Sequence, residues 1–266
     1  MPQFLIIILV VIGSYLLGNL NFATLITKLK RKDIRSLGSG NPGTMNMLRN
    51  FGIPLGVLTL FLDILKGAVP CILGWFLIGG IGFAPDPPVQ PLTMSAINEM
   101  PPSFGIEYGI FLVGQWGANR LGLYVAGLSV IVGHVFPVFY KFKGGKGIAS
   151  AIGVCAVAQP ILAPIMLVAG ITFIVFTKMG SLGSFIIISL PLGVEGFFVS
   201  QSLKSIYVLN TAPVVASLIL IFLLFSLTVF THRKNIVKLF SGTESRTVLL
   251  GKNKSVKSAG KDGKNA

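Results

Sequence analysis

Acidic residues are scarce in this chain: eight Asp and Glu stand against 22 Lys and Arg, and charged residues make up only 11% of the 266. An ordinary soluble domain is excluded, because its surface needs far more charge to stay dissolved. Cysteine and histidine are scarcer still, with two of each. Cys71 and Cys155 both lie inside apolar segments, and no ligand spacing surrounds either, so both read as small buried hydrophobes. Neither a metal nor a cofactor is expected. Basic residues are missing altogether between Lys66 and Arg120, where Asp86, Glu99 and Glu107 fall instead.

What abounds is apolar sequence. Hydrophobic residues make up 53% of the chain and the mean hydropathy is +0.82. They come in blocks near the length that crosses a bilayer core of about 30 Å at about 1.5 Å per residue. Spanning segments are expected at about 4–27, 53–78, 121–140, 148–159, 161–177, 182–200 and 213–231. The expected fold is therefore an all-α integral membrane protein with seven transmembrane helices. The fourth segment is short and ends at Pro160, as a partial or tilted helix would. The first begins after Met-Pro-Gln with no positive leader and no small-residue cleavage site, so it reads as a retained helix. One domain is expected over 1–251, followed by a basic tail over 252–266 whose Lys, Gly, Ser and Asn predict disorder.

A formal charge of +14 raises the question of nucleic acid, and its distribution answers it. Lys28, Lys30, Arg31, Lys32 and Arg35 follow the first span, and nine Lys/Arg between Arg233 and Lys264 follow the last. Basic clusters beside spans mark cytoplasmic loops and contact with anionic lipid. No RNA- or DNA-binding motif accompanies them, so no nucleic-acid partner is expected. The loops at 28–52, 141–147 and 178–181 and the tail thus face the cytoplasm, with the N-terminus outside and the C-terminus inside. Lys204 is the only basic residue of the predicted external loop after the sixth span. The Pro-rich stretch Ala84 to Pro102 reads as an external loop, and Gly105 to Trp116 as either an interfacial lid or an extension of the third helix.

Three polar clusters fall on that one side. In Gly38-Ser39-Gly40-Asn41-Pro42-Gly43-Thr44-Met45-Asn46-Met47-Leu48-Arg49, glycines and a proline force turns that expose backbone N–H groups. Ser39, Asn41, Thr44 and Asn46 add neutral donors, and Arg49 adds a planar cation suited to phosphate. A plain connector carries one or two such residues, not twelve in a row. The second cluster runs from Gly133-His134 through Lys141-Phe142-Lys143-Gly144-Gly145-Lys146-Gly147, where one helix ends and another begins at Ile148. Amides at a helix N-terminus beside a lysine make an anion site. It is not a nucleotide-binding P-loop, because Lys146 is followed by glycine and the spacing fails. The third cluster is His232-Arg233-Lys234-Asn235 with Gly242-Thr243-Glu244; alone, it would pass for the basic flank of a span. A fourth feature lies inside the second span, where Asp63 and Lys66 share a helix face and can pair. Orienting the loops and taking part in chemistry are equally open roles for that pair.

In this order the clusters resemble the bacterial membrane glycerol-3-phosphate acyltransferases of the PlsY type, which use acyl-phosphate donors. The matches are GSGNPG with Asn46 and Arg49 (38–49), D..KG (63–67), GH.FPVF..FKGGKG (133–147), SLGS (181–184) and H..NI with GTE (232–244). The resemblance implies transfer of an acyl group from acyl phosphate to the sn-1 hydroxyl of glycerol 3-phosphate, giving lysophosphatidic acid and inorganic phosphate. It implies a multi-pass protein of the cell membrane with its site at the cytoplasmic face. It further implies catalytic roles for His232, Asn235 and Lys146, and substrate binding by Ser39, Asn46, Arg49, His134, Lys143, Gly144, Gly145, Gly147 and Glu244. One departure is that the family commonly reads G-A-T-N where this chain has Gly43-Thr44-Met45-Asn46. Acyl phosphate is already activated, so orientation and charge management suffice, and no nucleophile-elbow serine or placed catalytic cysteine is present. The amides of 144–147 are expected to hold the departing phosphate. Proton removal is open among His232, His134 and the substrate's own phosphate. The rival from another class is a transporter of a small phosphorylated solute, favoured by the intramembrane charges and the broken fourth segment but opposed by the one-sided clusters. A scaffold that holds anionic partners on its basic tail would leave the glycine loop without a purpose.

Overall fold

The computed structural model describes residues 2–79, 120–203 and 211–243. Among them there is no strand, and the helices follow the apolar blocks. The first block is broken. Helix α1 (Gln3–Asn19) and helix α2 (Phe22–Leu29) meet at an angle of 41°. The break falls where Leu20 is extended and Asn21 caps α2 by accepting from the Thr24 amide at 2.9 Å. A 3-10 turn (Ile34–Ser36) leads through the glycine-rich loop into α3 (Thr44–Phe51). Gly52, at φ 84°, then reverses the chain into α4 (Ile53–Gly74), which has Pro54 in its first turn.

Beyond residue 119 the order is α5 (Leu121–Val135), a 3-10 turn (Val138–Tyr140), α6 (Ile148–Ala158), α7 (Leu162–Thr177), α8 (Gly180–Ser202) and α9 (Ala212–Phe240). Four stretches are long and apolar enough to cross a bilayer unaided: Ile53–Ile78, Leu121–Tyr140, Gly180–Ser200 and Ala212–Phe240. The bent α1–α2 pair makes a fifth if taken as one span. Helices α6 and α7 are shorter, because Gln159 and Pro160 interrupt what would be one long apolar run.

Small residues bring the central helices into backbone contact, as in membrane helix packing generally. A Cβ on Gly18 of α1 would come within 3.0 Å of the Gly133 Cα on α5. Gly67 of α4 seats against Ser150 at the start of α6 in the same way, with the Ser150 Cα at 3.0 Å from such a Cβ. The core is apolar and includes both cysteines, which are unbonded and buried. Large side chains such as Phe61, Val168 and Phe222 face outward, as lipid-facing residues do. These contacts hold α1, α4, α5 and α6 together at the end that carries the polar loops. The predicted external loop and lid at 80–119, Lys204, Glu244 and the 252–266 tail lie outside the described residues.

Candidate active site

The glycine loop after α5 is shaped by that helix's need for hydrogen-bond donors at its end. The last carbonyls of a helix have no intrahelical donor. Here the chain turns back beneath them: the Gly144 amide donates to Val135 O and the Gly145 amide to His134 O, each at 3.1 Å. To make the turn, Lys141 and Phe142 adopt left-handed backbone at φ 54° and 58°, which costs non-glycine residues roughly 1–2 kcal/mol each. This corrects the expectation that all the amides of 144–147 face a phosphate. Two of them cap α5. Gly147, left-handed at φ 81°, opens α6, whose first-turn amides have no intrahelical acceptor. Lys143 is exposed and Lys146 is half-buried.

One hydrogen bond ties the last helix to this loop, and another ties it to the start of α8. The one proton of Thr231 Oγ1 is shared between Thr228 O of its own helix at 3.0 Å and the Lys146 carbonyl at 3.1 Å, across 85 residues of sequence. One turn further along α9, Asn235 Nδ2 donates to Ser181 Oγ at 2.5 Å. His232 is buried between these contacts, with its ring edge-on to Phe185 at 5.2 Å. Its Nδ1 lies 3.0 Å from Thr228 O. A carbonyl only accepts, so Nδ1 carries a proton and, in the neutral ring, Nε2 has the lone pair. The second polar cluster and the His232–Asn235 part of the third therefore stand side by side. Ser181, which begins the SLGS motif, belongs to it. The motif is visible in the sequence, but nothing local in it places its serine in the site.

The first loop is organised from beneath. Asn46 is 1% exposed, and its side-chain N–H groups donate to Ile34 O and Leu37 O at 3.1 and 2.9 Å. Its Oδ1 accepts from the Ser39 amide and from Asn50. Expected to bind substrate, Asn46 instead has its polar atoms turned inward to hold the Gly38–Gly40 turn. A short loop without regular structure needs such an anchor for its backbone groups. Asn21 adds a second anchor through Pro42 O at 3.1 Å. Ser39 and Arg49 lie on the exposed side, and Thr44 Oγ1 is buried without a hydrogen bond. The two loops meet where the Arg35 guanidinium stacks over the Tyr140 ring at 4.3 Å, with Lys28 over the same ring at 5.8 Å.

Asp63 and Lys66 lie behind both loops. They form the expected i,i+3 ion pair at 2.8 Å, almost wholly buried. Lys66 Nζ also reaches Leu20 O at the α1–α2 break, at 2.8 Å, and His134 Nδ1 at 2.9 Å. His134 is buried beneath the glycine turn, so close that a Cβ on Gly145 would fall on its Nε2. No group of three or more potential metal ligands occurs among the described residues.

The sequence profile described as "Glycerol-3-phosphate acyltransferase" matches residues 8–242. A protein so named from Thermoanaerobacter pseudethanolicus is 35% identical over 240 residues, which are 90% of this chain and 94% of that one. One from Aquifex aeolicus is 33% identical over 239 residues, 89% and 96% of the respective chains. Two crystal structures of PlsY (YgiH), described as an integral membrane glycerol 3-phosphate acyltransferase, share the fold. The glycerol 3-phosphate form has a TM-score of 0.60 at 28% identity, covering 90% of this chain and 94% of the other. The form with lysophosphatidic acid has 0.62 at 27%, covering 92% and 96%.

Proposed function

Since this chain belongs to the glycerol-3-phosphate acyltransferase family, we propose that it moves an acyl group from acyl phosphate to the sn-1 hydroxyl of glycerol 3-phosphate, at the cytoplasmic face of the cell membrane. The observation that carries this reading is the joining of the Lys146 loop to His232, Asn235 and Ser181 through Thr231. A cation, a helix N-terminus and neutral donors thus lie close together, as a reaction between two phosphorylated substrates requires. The seven-crossing arrangement with the N-terminus outside and a single domain over 1–251 is part of the same reading. Its support is the one-sided distribution of basic residues.

The hydroxyl oxygen of glycerol 3-phosphate attacks the acyl carbonyl carbon, and the bond from that carbon to the phosphate oxygen breaks. The ester is lysophosphatidic acid, and phosphate leaves with the hydroxyl proton. The departing group is held by Lys146, the Gly147 amide and the first turn of α6. Ser39, Arg49, Ser181 and Asn235 hold the phosphate of the acceptor, with exposed Lys143 as a further cation; substrate binding by Glu244 rests on the family resemblance alone. Asn46 serves by fixing the turn that carries Ser39. His232 has its lone pair on Nε2, the form a general base needs, and the acceptor's own phosphate is the alternative proton sink.

The test uses the purified protein in detergent with acyl phosphate and glycerol 3-phosphate. Release of inorganic phosphate that depends on both substrates, together with formation of lysophosphatidic acid, is expected. Because detergent has no sealed compartment, such activity also excludes obligatory transport. No product from any acyl donor would end the proposal.

A further inference from the structure

Lys66 touches neither proposed substrate, yet its contacts decide the state of a histidine that faces the glycine turn. An ammonium group has protons to give and no lone pair to offer. Two of its directed contacts go to Leu20 O at 2.8 Å and His134 Nδ1 at 2.9 Å. Asp63 Oδ1 stands 2.8 Å away as the counter-charge. Ser150 Oγ approaches the same imidazole nitrogen at 3.5 Å. The ammonium can only donate, so Nδ1 accepts from it, which leaves the ring proton on Nε2 and lets the Ser150 hydroxyl donate to Nδ1 as well. That nitrogen abuts Gly145. The residue is 4% exposed, and Nε2 meets no acceptor among the described residues. A donor so enclosed calls for an acceptor. The Gly144 and Gly145 amides are already committed to the end of α5, so the imidazole supplies an N–H where those amides do not.

We propose that Lys66, held by Asp63, locks His134 in its Nε2–H form, and that this N–H donates to the phosphoryl group seated on the Gly144–Gly147 turn. The proposal rests on the acyltransferase reading given above. It assigns the chain's two histidines opposite forms and opposite chemistry. His134 donates from Nε2 and cannot take a proton there, whereas His232 holds its Nδ1 proton on Thr228 O and keeps the Nε2 lone pair. Lys66 and Asp63 are positioning residues, acting through His134 and not on substrate.

With only two histidines in the chain, both imidazoles are resolvable by NMR of full-length protein labelled with 15N-histidine, the signals being assigned with His232→Gln. The wild type is expected to show one ring protonated on Nε2 (His134) and one on Nδ1 (His232). Adding inorganic phosphate is expected to shift the His134 Nε2–H signal. Lys66→Met is expected to release the tautomer and raise KM for acyl phosphate about tenfold or more, the loss typical of one hydrogen bond to a charged group. KM for glycerol 3-phosphate should change little, and Lys66→Arg, which still donates, should restore the tautomer. A wild-type His134 protonated on Nδ1 would overturn the proposal even if both variants fail to fold. So would a His134 signal indifferent to phosphate, or an unchanged acyl-phosphate KM in folded Lys66→Met. Wild-type protein that shows the expected spectrum and phosphate response but makes no lysophosphatidic acid would instead defeat the acyltransferase reading and leave the anion contact standing.

Discussion

Two buried ion pairs, near opposite ends of α5, put charge in the membrane interior to different uses. At one end, Asp63–Lys66 reaches out of its own helix to a helix break, a histidine and the foundation of the glycine loop. At the other, Arg120 pairs with Glu195 of α8, which also accepts from Tyr124 of α5 and from Gln159 at the break after α6. Fourteen residues of helix separate Arg120 from His134 in sequence, roughly 20 Å at 1.5 Å per residue. The second network joins side chains of the packed helices, with the Trp75 ring 5.8 Å from Arg120. Buried charge is costly in both places and must be matched. At the loop end the matching groups shape a site. At the far end they tie together α5, α8 and the broken segment between α6 and α7.

The sharpest way to break this comparison is to remove site and scaffold charges separately. Lys146→Met should lower kcat/KM by about 100-fold or more, as loss of a charge-stabilising group does, with little change in thermal unfolding. Gly145→Ala should follow, with activity down about tenfold or more because the new methyl collides with His134 Nε2. Steady-state kinetics beside melting curves in detergent check both. Glu195→Leu should do the reverse. It breaks the buried pair with Arg120, which costs about 3–5 kcal/mol, so the melting temperature falls while turnover per folded molecule stays near wild type. Adding Arg120→Met to that variant should recover much of the lost stability. A Glu195 variant with normal stability and abolished turnover would show that the far network serves the reaction. The smallest effect is expected from deleting 252–266, with specific activity nearly intact; a large loss in folded protein would contradict it.

Part of the site is legible in the sequence. The glycine, arginine and lysine positions announce phosphate because those residue types have few other reasons to gather beside a span. The Asp63–Lys66 pair follows from helical spacing alone. Other roles depend on where hydrogen-bonding groups end up. Asn46 and Arg49 stand three residues apart on α3, yet Asn46 is turned inward and Arg49 is exposed. Gly144, Gly145 and Gly147 look alike in the sequence, but two of their amides cap α5 while the third glycine starts α6. Ser181 belongs to a recognisable motif, but its partner, Asn235, lies 54 residues away.

The sequence by itself determined the apolar surroundings, the helices and where the basic residues gather along the chain, because hydrophobicity and charge act through local composition and need no knowledge of neighbours. Only the tertiary structure decided which donors face a substrate and which are consumed by the fold, and in which form each histidine is held. A hydrogen bond has one donor and one direction. Lys66 meets His134 across 68 residues, and that contact forms only once α4 and α5 have packed together.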